Sequence, residues 1–362
     1  MSVNLFIVRP KGLNVGNDAI YLGLKVLLAN HFPQVPNIIT LPATGRYESS
    51  AGNSGLTSST IHTINQYGHG VIVGGGNLYE NGELDLNLDA IEKLSPPMML
   101  FSLSRGRVYD RSGKLVDRTD TMSDVALAAL NSRADFSLAR DAATLDYLRS
   151  IGITSAKLGG CPTLFLNKIA SRLPEIPKES TGLALISIRT PSLMNIPLAR
   201  QARVAADIRE IKVSLERLGY REVHLLCHDS RDIAFAASFG DIPYIYQGDV
   251  YDYLSLINNS SVLVSFRVHA SIPALSFGKN FVNISYDERA SSLMDTLGLG
   301  PWDLNLMETS NLAVAVTERL AELETLSSLR GELAALWQDL DTLQNQEIGK
   351  FEKMVSSYFA GL

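Results

Sequence analysis

The sequence predicts an α/β protein built from two parallel sheets, and three features carry that prediction. Short apolar runs alternate with helical stretches through both halves of the chain. A weakly periodic stretch holding Pro174 and Pro177 separates the halves. From residue 311 onward there is no proline, and the pattern is helical almost throughout.

In the first half, residues 5–8 form a strand, and 18–30 a helix with an apolar face at Ile20, Leu24, Leu27 and Leu28. Residues 37–41 are a strand, and the strand at 71–73 runs into Gly74-Gly75-Gly76. Residues 98–103 are a buried strand, 124–131 a helix, 136–138 a strand, and 141–150 a helix ending before Gly152. In the second half, the strand at 183–188 ends at Arg189, and the long helix at 198–218 stops before Gly219. The strand at 223–227 ends at His228 and Asp229. Residues 233–239 are a helix, 244–246 a strand and 251–258 a helix. A strand at 261–264, a short helix at 270–277 closed by Gly278, and a strand at 281–285 follow.

This alternation means mostly parallel sheets covered by helices. The expected organisation is a Rossmann-like domain over 1–165, a linker over 166–181 and a second Rossmann-like domain over 182–310. A helical segment over 311–362 packs across both. That is a GT-B-like arrangement, with the ligand in the cleft between domains, the first domain on the acceptor side and the second on the donor side. Leu320, Leu323, Leu333, Leu336, Trp337, Leu340 and Leu343 make the last segment amphipathic. Its polar face is mixed rather than basic, so it is expected to pack on protein and not on a membrane.

At 362 residues the chain has room for about two domains. Its 46% hydrophobic and 19% charged residues describe a globular protein with ample core. The net charge of −6 gives no general basic field for nucleic acid. Cys161 and Cys227 are far apart and have no ligand spacing, which argues against a disulfide scaffold or a zinc site. The first ten residues are too short an apolar run for a signal peptide, and no run approaches the roughly 18 apolar residues of a membrane span.

Ser265-Phe266-Arg267-Val268-His269 is the most informative stretch. It joins a strand to a helix, so Arg267 and His269 fall at the carboxyl end of a parallel strand, where open α/β sheets bind ligands. An Arg there holds an anion, and a His two residues on moves a proton. Arg189 is placed in the same way. Two guanidinium groups then converge on one anion, or each serves an exposed salt bridge. His228 also ends a strand and is a further cleft candidate. His31, His62, His69 and His224 read as structural. No H-E-x-x-H or similar ligand set occurs, so no metal is expected.

Gly74-Gly75-Gly76-Asn77 is either a tight turn or a loop whose backbone approaches a ligand, which makes Gly75, Gly76 and Asn77 cleft candidates. It is not a G-x-G-x-x-G fingerprint, so no dinucleotide is indicated. In the first strand-to-helix loop, Asn17 or Asp18 serves as helix N-cap, or Asn14, Gly16 and Asp18 face the same cleft and contact an acceptor. Arg105, Arg107 and Arg111 follow the 98–103 strand and form a local basic rim for an anionic acceptor or, the favoured reading, are solvated loop charges.

Together these residues resemble the polysaccharide pyruvyltransferase family, from Asn14 to about Leu299. The most specific parts are Ser265 to Ala270, Ala274-Leu275-Ser276-Phe277-Gly278 and Ile284-Ser285-Tyr286-Asp287. Asn14-Val15-Gly16, the glycine loop, Arg140-Asp141 and Arg189 also fit. The chain departs from the family pattern at Asn17, often Asp there, and at Cys161-Pro162, where Asp-Pro is common. Arg289 stands for a frequent Lys, and Ser104-Arg105-Gly106 for a Gly-rich loop. These departures bear on the acceptor more than on the donor.

The resemblance implies transfer of pyruvate from phosphoenolpyruvate to two sugar hydroxyls as a ketal, in a polysaccharide or its lipid-linked precursor, with no cofactor. It implies donor contacts from Arg189, Arg267, the Val268 backbone and His269, with Arg267 and His269 catalytic, and it adds Tyr286 to the cleft candidates. It implies a cytoplasmic protein, held peripherally at the inner face of the membrane through its partners. The residues suit this chemistry. A donor with a carboxylate and a phosphate needs two or more cationic clamps. His269, as imidazolium, is expected to protonate the enol carbon or to relay the proton of the attacking hydroxyl. Two other readings stay open at this point. One is a GT-B glycosyltransferase using a nucleotide sugar, for which Glu288 is the nearby acidic residue. The other is a non-catalytic glycan-binding member of an envelope assembly complex, against which the Arg-x-His pair argues.

Overall fold

Each half of the chain folds around a six-stranded, wholly parallel sheet. The computed structural model describes residues 2–46, 52–80 and 82–362. Met1, the first residue of the expected N-terminal domain, lies outside the described residues, as do residues 47–51 and Asn81.

In the first half, β1 (Asn4–Arg9) leads into α1 (Val15–His31), β2 (Asn37–Pro42), α2 (Ser58–Tyr67), β3 (Gly70–Gly76), α3 (Leu88–Ile91) and β4 (Met98–Leu103). An antiparallel hairpin of β5 (Val108–Tyr109) and β6 (Leu115–Val116) follows. Then come α4 (Asp124–Arg133), β7 (Phe136–Ala139), α5 (Ala142–Ser150) and β8 (Lys157–Leu158). The sheet order is β2-β1-β3-β4-β7-β8. Every residue of β3 and β4 is buried, as expected of strands with helices on both faces.

Two local expectations change here. Asn14, not Asn17 or Asp18, is the N-cap of α1, and its side chain accepts a hydrogen bond from the Gly16 amide at 2.9 Å. The glycine run is the end of β3 rather than a turn after it. Gly75 and Gly76 have φ of +82° and +94°, and a Cβ on Gly75 would meet Ile20 Cγ2 at 2.5 Å. That conformation and that contact leave room only for glycine.

A distorted 3-10 stretch, Pro162–Arg172, leads out of the first sheet and buries Leu164, Leu166 and Ile169. The second half runs through β9 (Ala184–Ile188), α6 (Leu198–Arg217), β10 (Val223–Cys227), α7 (Ile233–Ala237), β11 (Tyr244–Tyr246) and α8 (Val250–Asn258). It continues with β12 (Val262–Ser265), α9 (Val268–Ser276), β13 (Phe281–Ser285), α10 (Glu288–Thr296) and β14 (Leu304–Asn305). The order is β11-β10-β9-β12-β13-β14. The hairpin, α2 and α10 had no clear signal in the sequence pattern.

Three helices close the chain: α11 (Leu312–Ala321), α12 (Leu323–Glu332) and α13 (Ala334–Ala360). Trp337 Nε1 donates to the Leu297 carbonyl at 3.0 Å. Further along α13, Phe351 and Val355 pack with Leu5 and Ile7 of β1. The long helix therefore touches both halves, although Leu336 of the expected stripe faces solvent. A second tie is internal. Val15, Ala19, Ile20 and Leu22 of α1 share one apolar cluster with Tyr253, Leu254, Ile272 and Leu293. Each such buried aliphatic side chain contributes about 1.5–3 kcal/mol. The result is a GT-B-like pair of Rossmann-like sheets. Among the described residues no helix is long and apolar enough to cross a membrane.

Candidate functional site

Both sheets reverse their winding at one place, and such a reversal opens a crevice at the carboxyl ends of the strands. In the first sheet the reversal lies between β1 and β3, in the second between β9 and β12. The two crevices open into one cleft of about 370 Å³. Asn14 after β1 and Gly76 and Asn77 at the end of β3 line it from one side. Arg189 after β9, His228 after β10, Arg267, Val268 and His269 after β12, and Tyr286 after β13 line it from the other.

Three of the expected cleft residues stand back from it. Asp18 pairs with Arg9 at 2.8 Å. Gly75 lies under Ile20 of α1. Gly16 is buried where the halves meet. A Cβ there would lie 2.4 Å from His228 Nε2 and 2.9 Å from His269 Cβ. Gly16 thus allows the start of α1 to approach both histidines. The Val15 amide donates to the His228 carbonyl at 3.2 Å, and Asn14 bridges to Asp229.

The arginines differ in how they are held. Arg189 Nη1 lies 3.3 Å from Asp229 and 3.8 Å from Asp232. Arg140 is 3.4 Å from Asp141 and also donates to the Arg289 carbonyl. Arg289 pairs with Asp287 and, at 2.9 Å, with Glu80. Arg267 is only 7% exposed, yet it has no carboxylate partner among the described residues. Burial and the neighbouring Arg267 both disfavour the charge on Arg189, whose buried Nε has no partner. Ser265 Oγ accepts from the Arg267 amide and donates to its carbonyl, which fixes the turn into α9. No side chain caps α9, so its first amides and its dipole favour an anion.

His269 is half-buried, and its Nε2 is out of solvent without a hydrogen-bond partner. Burial, then Arg140, Arg267 and Arg289, hold its pKa well below 6.5. Both effects disfavour the imidazolium, which bears on the expected role as proton donor more than on that as proton relay. His228 is 1% exposed, and its Nδ1 lies 2.6 Å from the Tyr253 hydroxyl. Burial, then Arg267, His269 and Arg189, push its pKa well down too.

Sequence reasoning passed over several cleft residues. Arg140 follows the end of β7, the same signal that marked Arg189, but it was weighed only as part of a family motif. Arg118 comes from the limb below the hairpin, which no periodicity announced. Of the three loop arginines, Arg105 is buried, paired with Asp117 at 2.8 Å and stacked 3.6 Å over Tyr147, so it is not a solvated charge. Arg107 pairs with Glu288 at 2.5 Å and ties the two halves together across one end of the cleft. Arg111 is exposed, as expected.

Comparison with known proteins gives a consistent picture. Residues 14–288 match the family described as polysaccharide pyruvyl transferase. No curated protein sequence matches the chain. Among solved structures it is similar to a putative UDP-N-acetylglucosamine 2-epimerase from Listeria monocytogenes, with 13% identity, a TM-score of 0.57, and 90% of this chain and 89% of that one covered. It is similar to MnaA of S. aureus, solved with UDP, at 16% identity and a TM-score of 0.53 over 88% of both chains. The UDP-GlcNAc 2-epimerase of Neisseria meningitidis, bound to UDP-GlcNAc, gives 12% identity and a TM-score of 0.52 over 100% of both. At these identities the likeness is one of fold.

Proposed function

We propose, from the premise that the chain belongs to the polysaccharide pyruvyl transferase family matched over residues 14–288, that it moves a pyruvyl group from phosphoenolpyruvate onto two hydroxyls of a saccharide, as a ketal. The observation that carries this reading is Arg267. It is a buried guanidinium with no carboxylate partner among the described residues, beside Arg189 and the uncapped start of α9. Buried charges are normally paired, so an anion is the natural partner. Phosphoenolpyruvate offers a carboxylate and a phosphate, and planar guanidinium groups bind both bidentately.

In this reading the second sheet, within residues 182–310, holds the donor through Arg189, Arg267, the Val268 amide and His269. The first sheet, within residues 1–165, presents Asn14, Gly76 and Asn77 to the acceptor, and Tyr286 closes the cleft from the donor side. With its charge disfavoured by burial and by the neighbouring arginines, His269 suits a base better than an acid. It takes the proton of the attacking hydroxyl as the sugar oxygen bonds to C2, and C3 gains a proton to become a methyl group. The C2–O bond to phosphate then breaks, phosphate leaves with the electron pair, and the second hydroxyl closes the ketal. Of the two hydroxyl protons, one ends on C3 and one on phosphate, so the reaction balances.

The acceptor is a saccharide, in a polymer or on a lipid carrier, and the place of action is the cytoplasm at the inner membrane face. A nucleotide sugar is a poorer fit, because the acidic residue suited to a ribose, Glu288, is already engaged by Arg107. The test is an incubation with phosphoenolpyruvate and saccharide fractions of the source cell, read by phosphate release and by mass. The reading predicts acceptor-dependent phosphate release and a product heavier by pyruvate less one water. Consumption of UDP-sugars, with none of phosphoenolpyruvate, would refute it.

A further inference from the structure

Closing a ketal on two hydroxyls requires two proton transfers from oxygen, and the cleft presents two imidazoles. His269 opens α9, and His228 follows β10. Both line the cleft, and both occupy the space that a Cβ on Gly16 would take. We propose that His228, held at Nδ1 by Tyr253, is a second proton-accepting group, serving one sugar hydroxyl while His269 serves the other. This rests on the pyruvyl-transfer reading above and adds a residue to it.

The support is geometric. A general base needs a free lone pair aimed at substrate and a partner that fixes its tautomer. Tyr253 is fully buried, meets the His228 ring edge-on at 5.2 Å, and places its hydroxyl 2.6 Å from Nδ1. If the Tyr253 oxygen accepts from Nδ1–H, the lone pair of His228 is at Nε2, the ring atom nearest Gly16, on a residue that lines the cleft. Ser187 Oγ, buried beside Tyr253 and without a hydrogen-bond partner of its own, is the acceptor the Tyr253 proton would then need. The charged and titratable groups facing His228 are Arg189 at the end of β9, Arg267 and His269 at the start of α9, and Tyr253 from α8. The start of α1 brings Asn14, Val15 and Gly16 against this turn. Three of those neighbours are cationic or become so on protonation, which keeps His228 in the base form.

In the balanced sequence, one histidine takes the proton of the first hydroxyl as the C2–O bond forms, and that proton equivalent is delivered to C3. The other takes the proton of the second hydroxyl as the ring closes and the C2–phosphate bond breaks, and passes it to the departing phosphate. No oxidant, reductant or further reactant is needed.

The experiment compares wild type, His228→Asn and Tyr253→Phe for phosphoenolpyruvate binding, acceptor-dependent phosphate release and the acid limb of the kcat profile. Two required bases give an acid limb of slope two. His228→Asn should bind phosphoenolpyruvate as wild type does, lose about a hundredfold in kcat, and show slope one. Tyr253→Phe should lower kcat about tenfold with KM for the donor unchanged. A His228→Asn variant that binds the donor and keeps kcat within about threefold, or keeps the wild-type slope, overturns the proposal. If His228→Asn does not fold, an unchanged kcat in Tyr253→Phe overturns it instead. Failure of wild type itself to release phosphate would count against the pyruvyl-transfer reading and is seen separately.

Discussion

The two places where the sheets reverse their winding are built alike and furnished differently. Between β9 and β12 the strand ends carry Arg189, Arg267 and His269. Between β1 and β3 they carry Asn14, Gly76 and Asn77, neutral groups that donate and accept hydrogen bonds. The same topology therefore sets cationic strand ends at one reversal and neutral ones at the other, while Arg118 and Arg140 of the first half also line the cleft. On the proposed reading, the donor and the acceptor take opposite walls. The start of α1 belongs to the first wall but touches the second, through Gly16.

Substitutions can break or sharpen that comparison. The largest effect is expected on the second wall: His269→Ala should lower kcat by about two orders of magnitude or more, read by steady-state phosphate release. Arg267→Lys keeps the charge but loses the planar fork. It should lower kcat/KM for phosphoenolpyruvate by roughly tenfold to a hundredfold, and a near-normal value would remove Arg267 from the donor site. Gly16→Ala tests the contact between walls. The added methyl has no room, so a loss of about 1–3 kcal/mol in denaturant unfolding is expected, together with impaired turnover. On the first wall, Asn77→Ala should raise the acceptor KM by about fivefold and leave the donor KM alone, because one neutral hydrogen bond contributes about 1 kcal/mol.

The smallest effect is in the pH dependence of stability. His228 and His269 titrate well below the ordinary 6.5 when folded. Below that value the unfolded chain takes up protons that the folded chain refuses. Their contribution is complete above pH 6.5 and is lost as pH falls toward the folded values. Melting temperature should therefore drop between about pH 7 and 5, and phosphoenolpyruvate, whose charge offsets the arginines, should reduce the drop. His269→Ala should flatten the same curve.

The second wall was largely legible in the sequence because a strand end followed by Arg-x-His is a local pattern. The long, apolar parallel strands were also legible, since full burial leaves no alternation to misread. What failed needed tertiary contacts. That Gly16 is a close-approach glycine depends on two histidines more than 200 residues away in the chain. Arg118 reaches the cleft only because the short hairpin folds back, and strands of two residues leave no periodicity. The lowered pKa of His269 comes from burial and then from Arg140, Arg267 and Arg289, which three-dimensional packing brings beside it. Arg105 looked solvated because its aromatic partner, Tyr147, lies on another element.

The central claim is that phosphoenolpyruvate sits between β9 and β12. It is tested most directly by a thermal-shift titration with that compound on wild type, Arg267→Ala and Asn77→Ala. A ligand bound only by the folded state raises the melting temperature by mass action. The account predicts a rise in wild type, an equal rise in Asn77→Ala, and none in Arg267→Ala. A rise that survives in Arg267→Ala and vanishes in Asn77→Ala would place the donor on the other wall and contradict it.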